Sequence, residues 1–248
     1  MCKKAFSIAV PLACICAAPF AGSAQTNMKP ADTELHGPKP RVVTVQNRVP
    51  SDAIVLFDGG NLVDWGKEGK PATPAEWTVQ NGELTVKPGT GNIQTKRNFE
   101  DFQLHLEWKS PAVIKGEGQG RGNSGVFLQG LYEIQVLDNN DNYTYVNGQA
   151  GSVYKQRPPL VEVRAGTDGW HAYDIIFRAP RFSRDGVLVS KGVVTVLHNG
   201  VLVQNGTVIE GPTEYIGLPK VIPHGPGPIV LQDHGDLVSF RNIWIREL

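Results

Sequence analysis

Phe102, Leu104, Leu106 and Trp108 alternate with Gln103, His105 and Glu107. That period of two marks a strand with one apolar and one polar face. Ile54-Val55-Leu56-Phe57 is a short apolar run stopped by Asp58-Gly59-Gly60. Trp77-Thr78-Val79 and Glu83-Leu84-Thr85-Val86 flank Asn81-Gly82, and His198-Asn199-Gly200-Val201 repeats the Asn-Gly signal, so two hairpins are predicted. Further strands are expected at 125–129, 132–137, 173–177, 193–197, 201–204, 229–232 and 238–245. No segment carries the period of a three-turn amphipathic helix. Many short strands between turn signals predict an all-β sandwich or barrel.

Residues 25–50 are polar and Pro-rich, with Met28-Lys29-Pro30 and Gly37-Pro38-Lys39-Pro40 and no periodicity. They read as a linker or arm with one short strand at 41–45. A single domain is expected over 51–248. Upstream, Lys3 and Lys4 precede an apolar stretch at 5–20 and the small residues Ala21-Gly22-Ser23-Ala24. This is the layout of a secretory signal over 1–24, which predicts export, most simply to a periplasm. Lipid attachment at Leu12-Ala13-Cys14 is the weaker reading, because Pro11 stands before it.

The 248 residues are 40% apolar and 19% charged, with 28 Gly and 18 Pro, a turn-rich globular composition. Formal net charge is zero, so no basic surface argues for nucleic acid. The apolar stretch at 5–20 is too short for a comfortable membrane span. All three cysteines (Cys2, Cys14, Cys16) fall in the predicted signal. The mature chain therefore has neither disulfides nor thiolate chemistry.

Candidate chemistry sits on polar strand faces. Glu133 and Gln135 share one face of their strand, opposite Ile134 and Val136. Glu107 shares a face with His105 and Gln103, and Gln232 with His234. Three such faces are expected to line one concave sheet, although each alone also reads as an ordinary solvated face. His234, at a strand end, is the best acid–base candidate, since imidazole titrates near neutrality. His105 and His171 have weaker claims, and His36 and His224 none. Asp138 and the polar loop at 139–151 suit a hard cation or simple turns. A divalent metal is thus possible, with Glu133, Asp138 and His234 as candidate ligands. Asn123 and Ser124 open a strand and suit hydrogen bonding to a ligand, while Tyr154, Trp170 and Tyr173 suit either a sugar ring or the core. No zincin, nucleophile-elbow, Walker or dinucleotide motif is present.

Several runs together resemble one family: Ile54-Val55-Leu56-Phe57-Asp58-Gly59 with Trp65, Asn123-Ser124-Gly125-Val126-Phe127, Tyr132-Glu133-Ile134-Gln135-Val136-Leu137-Asp138, Gly151-Ser152-Val153-Tyr154, Gly169-Trp170-His171-Ala172-Tyr173-Asp174, His198-Asn199-Gly200-Val201, Gly227-Pro228-Ile229-Val230-Leu231-Gln232-Asp233-His234-Gly235 and Phe240-Arg241-Asn242-Ile243. In order, over about 52–248, they are similar to the 3-keto-glycoside lyase/hydratase family, also called the 3-keto-disaccharide hydrolase domain. The resemblance implies a concanavalin-like jelly-roll sandwich of two antiparallel sheets. It also implies cleavage of 3-keto-glycosides by loss of the C2 proton and elimination at C1, followed by hydration. No redox cofactor is called for, but a separate glycoside 3-dehydrogenase must make the substrate. His234 or Glu133 would be the base, the other the acid or orienting group. Glu107, Asn123, Ser124, Gln135, Asp138, Tyr154, Trp170, Gln232 and Arg241 would bind the small carbohydrate. The chain departs from the family pattern at His171, where an Asn commonly follows the Trp, and in a longer loop at 178–191. A carbohydrate-binding module without catalysis is the competing class, and an adhesion or scaffold protein a third.

Overall fold

The computed structural model describes residues 28–164 and 169–248. The expected signal at 1–24 lies outside the described residues. Residues 28–42 separate from the rest as their own unit, with a single 3-10 turn at Pro30–Thr33. The compact unit is Val43–Leu248. Among the described residues no helix is long and apolar enough to cross a membrane.

The compact unit is a jelly-roll sandwich of two antiparallel sheets. In chain order the strands are β1 Val45–Gln46, β2 Val49–Pro50, β3 Ile54–Phe57, β4 Trp65–Lys67, β5 Lys70–Pro74, β6 Thr78–Gln80, β7 Glu83–Thr85, β8 Ile93–Thr95 and β9 Phe102–Lys109. They continue with β10 Ser124–Leu128, β11 Tyr132–Val136, β12 Trp170–Arg178, β13 Arg181–Phe182, β14 Leu188–Ser190, β15 Val193–His198, β16 Val201–Val208, β17 Val230–Leu231 and β18 Ser239–Glu247. The larger sheet runs β16-β15-β12-β9-β18-β7-β6, with β3 also on β18. The smaller sheet runs β11-β10-β17-β8-β4-β5. The stretch expected as a long loop at 178–191 holds a separate β13–β14 ribbon, and the strand expected at 41–45 is instead the small β1–β2 hairpin.

Alternation decides which residues meet between the sheets. In the larger sheet Phe102, Leu104, Leu106 and Trp108 face inward beside Phe177, Ile175, Tyr173 and His171 of β12. From the smaller sheet Val126 and Leu128, Ile134 and Val136, Leu231 and Ile93 face them. Trp65 is fully buried and donates its indole N–H to the Leu56 carbonyl at 2.8 Å, tying the start of β4 to β3. At both predicted Asn-Gly turns Asn and Gly take positive φ (Asn81 and Gly82, Asn199 and Gly200), the backbone that a two-residue hairpin turn demands.

The buried histidine pair belongs to the core. His171 Nδ1 lies 2.7 Å from His198 Nε2, and Trp108 stacks on the His171 ring at 3.9 Å. Burial, and then the neighbouring His171, push His198 down to about 3, so it stays neutral.

Gly66 marks the tightest strand approach in the smaller sheet. A Cβ there would lie 2.2 Å from the Pro71 carbonyl oxygen. Gly66→Ala should lower unfolding stability by about 1–3 kcal/mol, read from the denaturant midpoint. An unchanged midpoint would mean that β4 and β5 tolerate separation.

Candidate functional site

The β10–β11 hairpin turns at Gln129 and Gly130, both at positive φ, and its register sets Phe127 against Glu133 and Gly125 against Gln135. Because Val126, Ile134 and Leu231 point into the core, Gly125, Phe127, Glu133 and Gln135 point out of the smaller sheet on its other side. Gln232, just past β17, projects on that side too. The free edge of β11 is covered by residues 151–154: Gln135 N–H donates to the Ser152 carbonyl, and Tyr154 N–H to the Glu133 carbonyl. That pairing brings Tyr154 beside Glu133. Thr213 Oγ1 accepts from the Glu133 backbone N–H at 3.0 Å.

These elements enclose a hollow of about 560 Å³, lined by Asn123, Glu133, Gln135, Tyr154, Gln232 and His234 together with Gln119, Gly120, Phe127, Thr213 and Tyr215. The size suits a small-molecule site. Glu133 is only 4% exposed, yet among the described residues its carboxyl makes no ion pair or hydrogen bond. Burial alone pushes it up to about 8, so it holds a proton at neutral pH. Room for that carboxyl comes from Gly125: a Cβ there would stand 2.5 Å from Glu133 Oε1.

An amide chain orients Gln135. Its Nε2 donates to Gln119 Oε1 at 2.9 Å and to Asn123 Oδ1 at 3.3 Å, and Asn123 Nδ2 donates to the Gln119 carbonyl at 2.6 Å. Both Gln135 donors are thus directed at the wall, and its Oε1 is buried without a partner among the described residues. Gln232 Oε1 is also buried and, among the described residues, unpartnered. Each such atom costs about 1–3 kcal/mol until something donates to it.

His234 is exposed and reaches the hollow from a turn held by its neighbour. Asp233 Oδ2 accepts from Gly91 N–H and its Oδ1 from Gly235 N–H, while Asp233 N–H donates to Asn92 Oδ1. The acid is spent on the turn and the imidazole is presented. Tyr154 donates to or accepts from the Tyr145 hydroxyl at 2.6 Å, and its phenol is pushed up, first by burial and then by that bond.

Not every predicted site residue comes here. The expectation that Glu107, Trp170 and Arg241 join the same hollow is corrected: β9, β12 and β18 belong to the larger sheet, so their polar faces point out on the opposite side. There Arg241 Nε donates to Glu107 Oε2 at 2.6 Å, Asn242 Nδ2 to Glu107 Oε1 at 2.9 Å, and the Arg241 guanidinium lies 3.9 Å over the Trp170 ring. His105 on the same face bonds Asp174 at 2.7 Å. Ser124 is fully buried and donates to the Gln232 carbonyl at 2.7 Å, bracing that residue rather than facing the hollow. Tyr173 is core, with its hydroxyl on the Gln135 carbonyl at 2.8 Å. Asp138 is engaged by Arg121 Nε at 3.0 Å and lines a neighbouring hollow with Lys109 and Leu237. The trio Glu133, Asp138 and His234 is therefore not assembled: among the described residues no group of three His, Cys, Asp or Glu side chains is placed to hold a metal. The oxygen donors that do converge are the Glu133 carboxyl and the Gln135 and Gln232 amides.

Sequence reasoning passed over Gln119, which lies in a Gly-rich loop, and Thr213 and Tyr215, which follow Gly211-Pro212; nothing in their spacing marks them. Gly125 was passed over as well; the hairpin register places it across from Gln135.

Comparison with known proteins gives the family. Residues 52–246 match the profile of the 3-keto-alpha-glucoside-1,2-lyase-like domain. The chain belongs to that family. A Bacteroides thetaiotaomicron protein named 3-keto-disaccharide hydrolase is 27% identical, with 99% of each chain covered. A crystal structure from Parabacteroides distasonis, provisionally described as a glycosyl hydrolase, is 51% identical with a TM-score of 0.85, covering 90% of this chain and 98% of that one. A second protein from that organism, described in the same way, is 20% identical with a TM-score of 0.56, over 79% of this chain and 94% of its own, and shares the fold.

Two measurements test the site. Glu133 binds its proton more tightly folded than unfolded, so its contribution to stability is full below the ordinary carboxylate pKa of about 4.3 and is lost as pH rises through about 8. The melting temperature of Glu133→Gln relative to wild type should therefore climb steadily between those limits; a flat difference would place Glu133 in contact with bulk water. Gly125→Ala should fold and yet lose ligand binding, because the new methyl displaces the Glu133 carboxyl; full binding would show that the carboxyl has another resting place.

Proposed function

We propose that this family member cleaves the glycosidic bond of glucosides, disaccharides included, whose C3 is already a ketone. The observation that carries the reading is the protonated, buried Glu133 sharing one hollow with the His234 imidazole and two amide oxygens that lack donors. The name of the Bacteroides relative supports the substrate class.

A ketone at C3 acidifies the C2 hydrogen, since the electron pair left behind delocalises onto the keto oxygen. His234 takes that proton. The enolate pair then returns to form the C1–C2 double bond as the C1–O bond breaks, and Glu133 gives its proton to the departing oxygen. Water added across that double bond, its oxygen to C1 and a proton to C2, completes a net hydrolysis. Gln135 and Gln232 accept hydrogen bonds from ring hydroxyls and fix the sugar in the hollow. The chemistry moves protons and no net electrons, and it does not need two carboxylates placed across an oxocarbenium ion. Its substrate presupposes a separate enzyme that oxidises C3.

Purified protein should convert a 3-keto-glucoside and leave the unoxidised glucoside intact, read by mass spectrometry. Equal rates on both would remove the ketone's role. His234→Ala and Glu133→Gln should each lower kcat/KM by about 10²–10⁴. With Glu133 as the acid, kcat/KM should fall as pH rises through about 8; a rise over that range would exchange the two roles. Saturable binding of the keto-sugar without product would instead describe a carbohydrate-binding module.

A further inference from the structure

At the outer lip of the hollow, one lysine is framed by three aromatic rings. Lys155 Nζ lies 4.5 Å from the Tyr145 ring centre, 5.1 Å from that of Tyr215 and 6.0 Å from that of Tyr154. Tyr154 and Tyr215 line the hollow, whereas Lys155 does not. Its ammonium therefore stands outside the lining, against two rings that belong to it.

Three further observations make this charge unusual. Among the described residues Lys155 has no ion pair, while nearby cations are paired: Arg121 with Asp138, Arg157 with Glu210, Arg164 with Glu162. The one acid within the hollow, Glu133, is neutral at pH 7 and does not offset it. Lys155 also holds φ at 61°, its N–H fixed to the Asn147 carbonyl at 2.8 Å. That backbone would cost less with glycine, by about 1–2 kcal/mol, so the position carries a side chain at an energetic disadvantage. The tyrosine faces hold the ammonium by cation–π attraction without neutralising it. Tyr215 is 72% exposed, and Ile216 and Leu218 beyond it are more exposed still, so the lip also offers flat apolar surface.

We propose that Lys155, framed by Tyr145, Tyr154 and Tyr215, selects substrates whose departing C1 substituent is an aromatic group bearing a negative charge. The proposal rests on the cleavage reading above and adds the class of leaving group. A pre-placed, unpaired cation with its entropy already spent favours an anion most where bulk water is partly excluded.

The test compares 4-carboxyphenyl and 4-carboxamidophenyl 3-keto-glucosides, both anomers, in wild type, Lys155→Met and Lys155→Arg. Wild type should favour the carboxylate in kcat/KM by about fivefold, the worth of a partly exposed ion pair. Lys155→Met should abolish the preference while still turning over the carboxamide, Lys155→Arg should keep it, and high salt should weaken it. No preference in wild type, or the same preference in Lys155→Met, overturns the proposal. Turnover of the carboxamide reports separately on the cleavage reading. If neither substrate reacts, calorimetric Kd values for the two unoxidised aryl glucosides decide: tighter carboxylate binding lost in Lys155→Met supports the role, and equal affinities end it.

Discussion

A carboxyl buried without a charged partner organises the site. Glu133 has lost its water and gained no cation, which favours the protonated form and makes ionisation costly. Such a group persists only where the backbone leaves no alternative. Strand pairing fixes Glu133 between Tyr132 and Ile134, which are core, and the missing side chain at Gly125 gives its carboxyl a place to lie. The outcome is a carboxyl that keeps its proton at neutral pH.

The polar groups of the molecule divide into those already answered and those left open. Glu107 has Arg241 and Asn242, Asp138 has Arg121, and Asp233 has two backbone N–H donors. These acids hold structure in place. Among the described residues Glu133, Gln135 Oε1 and Gln232 Oε1 have no such partners, and the three residues lie along the same hollow. The contrast separates the two polar sheet faces, which look alike in composition. The outer face of the larger sheet pairs its charges around Trp170, while that of the smaller sheet keeps acceptors without donors among the described residues.

Much of the architecture was readable from patterning. β3, β9, β11 and both Asn-Gly hairpins follow from apolar runs, period-two alternation and residues that tolerate positive φ. β4, β8 and the β13–β14 ribbon were not readable, since strands of two or three residues carry too little pattern to stand out. Within the site, Glu133, Gln135, Gln232 and His234 were legible as strand-face neighbours. Gln119 and Tyr215 were not, because loops without periodicity bring them in. Glu107 and Arg241 were misplaced for a different reason: alternation tells which face of a strand is polar, but not to which sheet the strand belongs.

The sequence by itself determined the all-β class, the turn positions and which side chains share a strand face, because these depend on neighbours one or two residues away. Only the tertiary structure decided that β10, β11 and β17 join one sheet and β9 and β18 the other. It also decided that Gln135 spends its donors on Gln119 and Asn123, and that Lys155 comes to rest among rings from segments up to seventy residues apart in the chain. Those outcomes depend on pairings between distant strands and on which polar groups find partners once water is excluded, and a linear pattern contains neither.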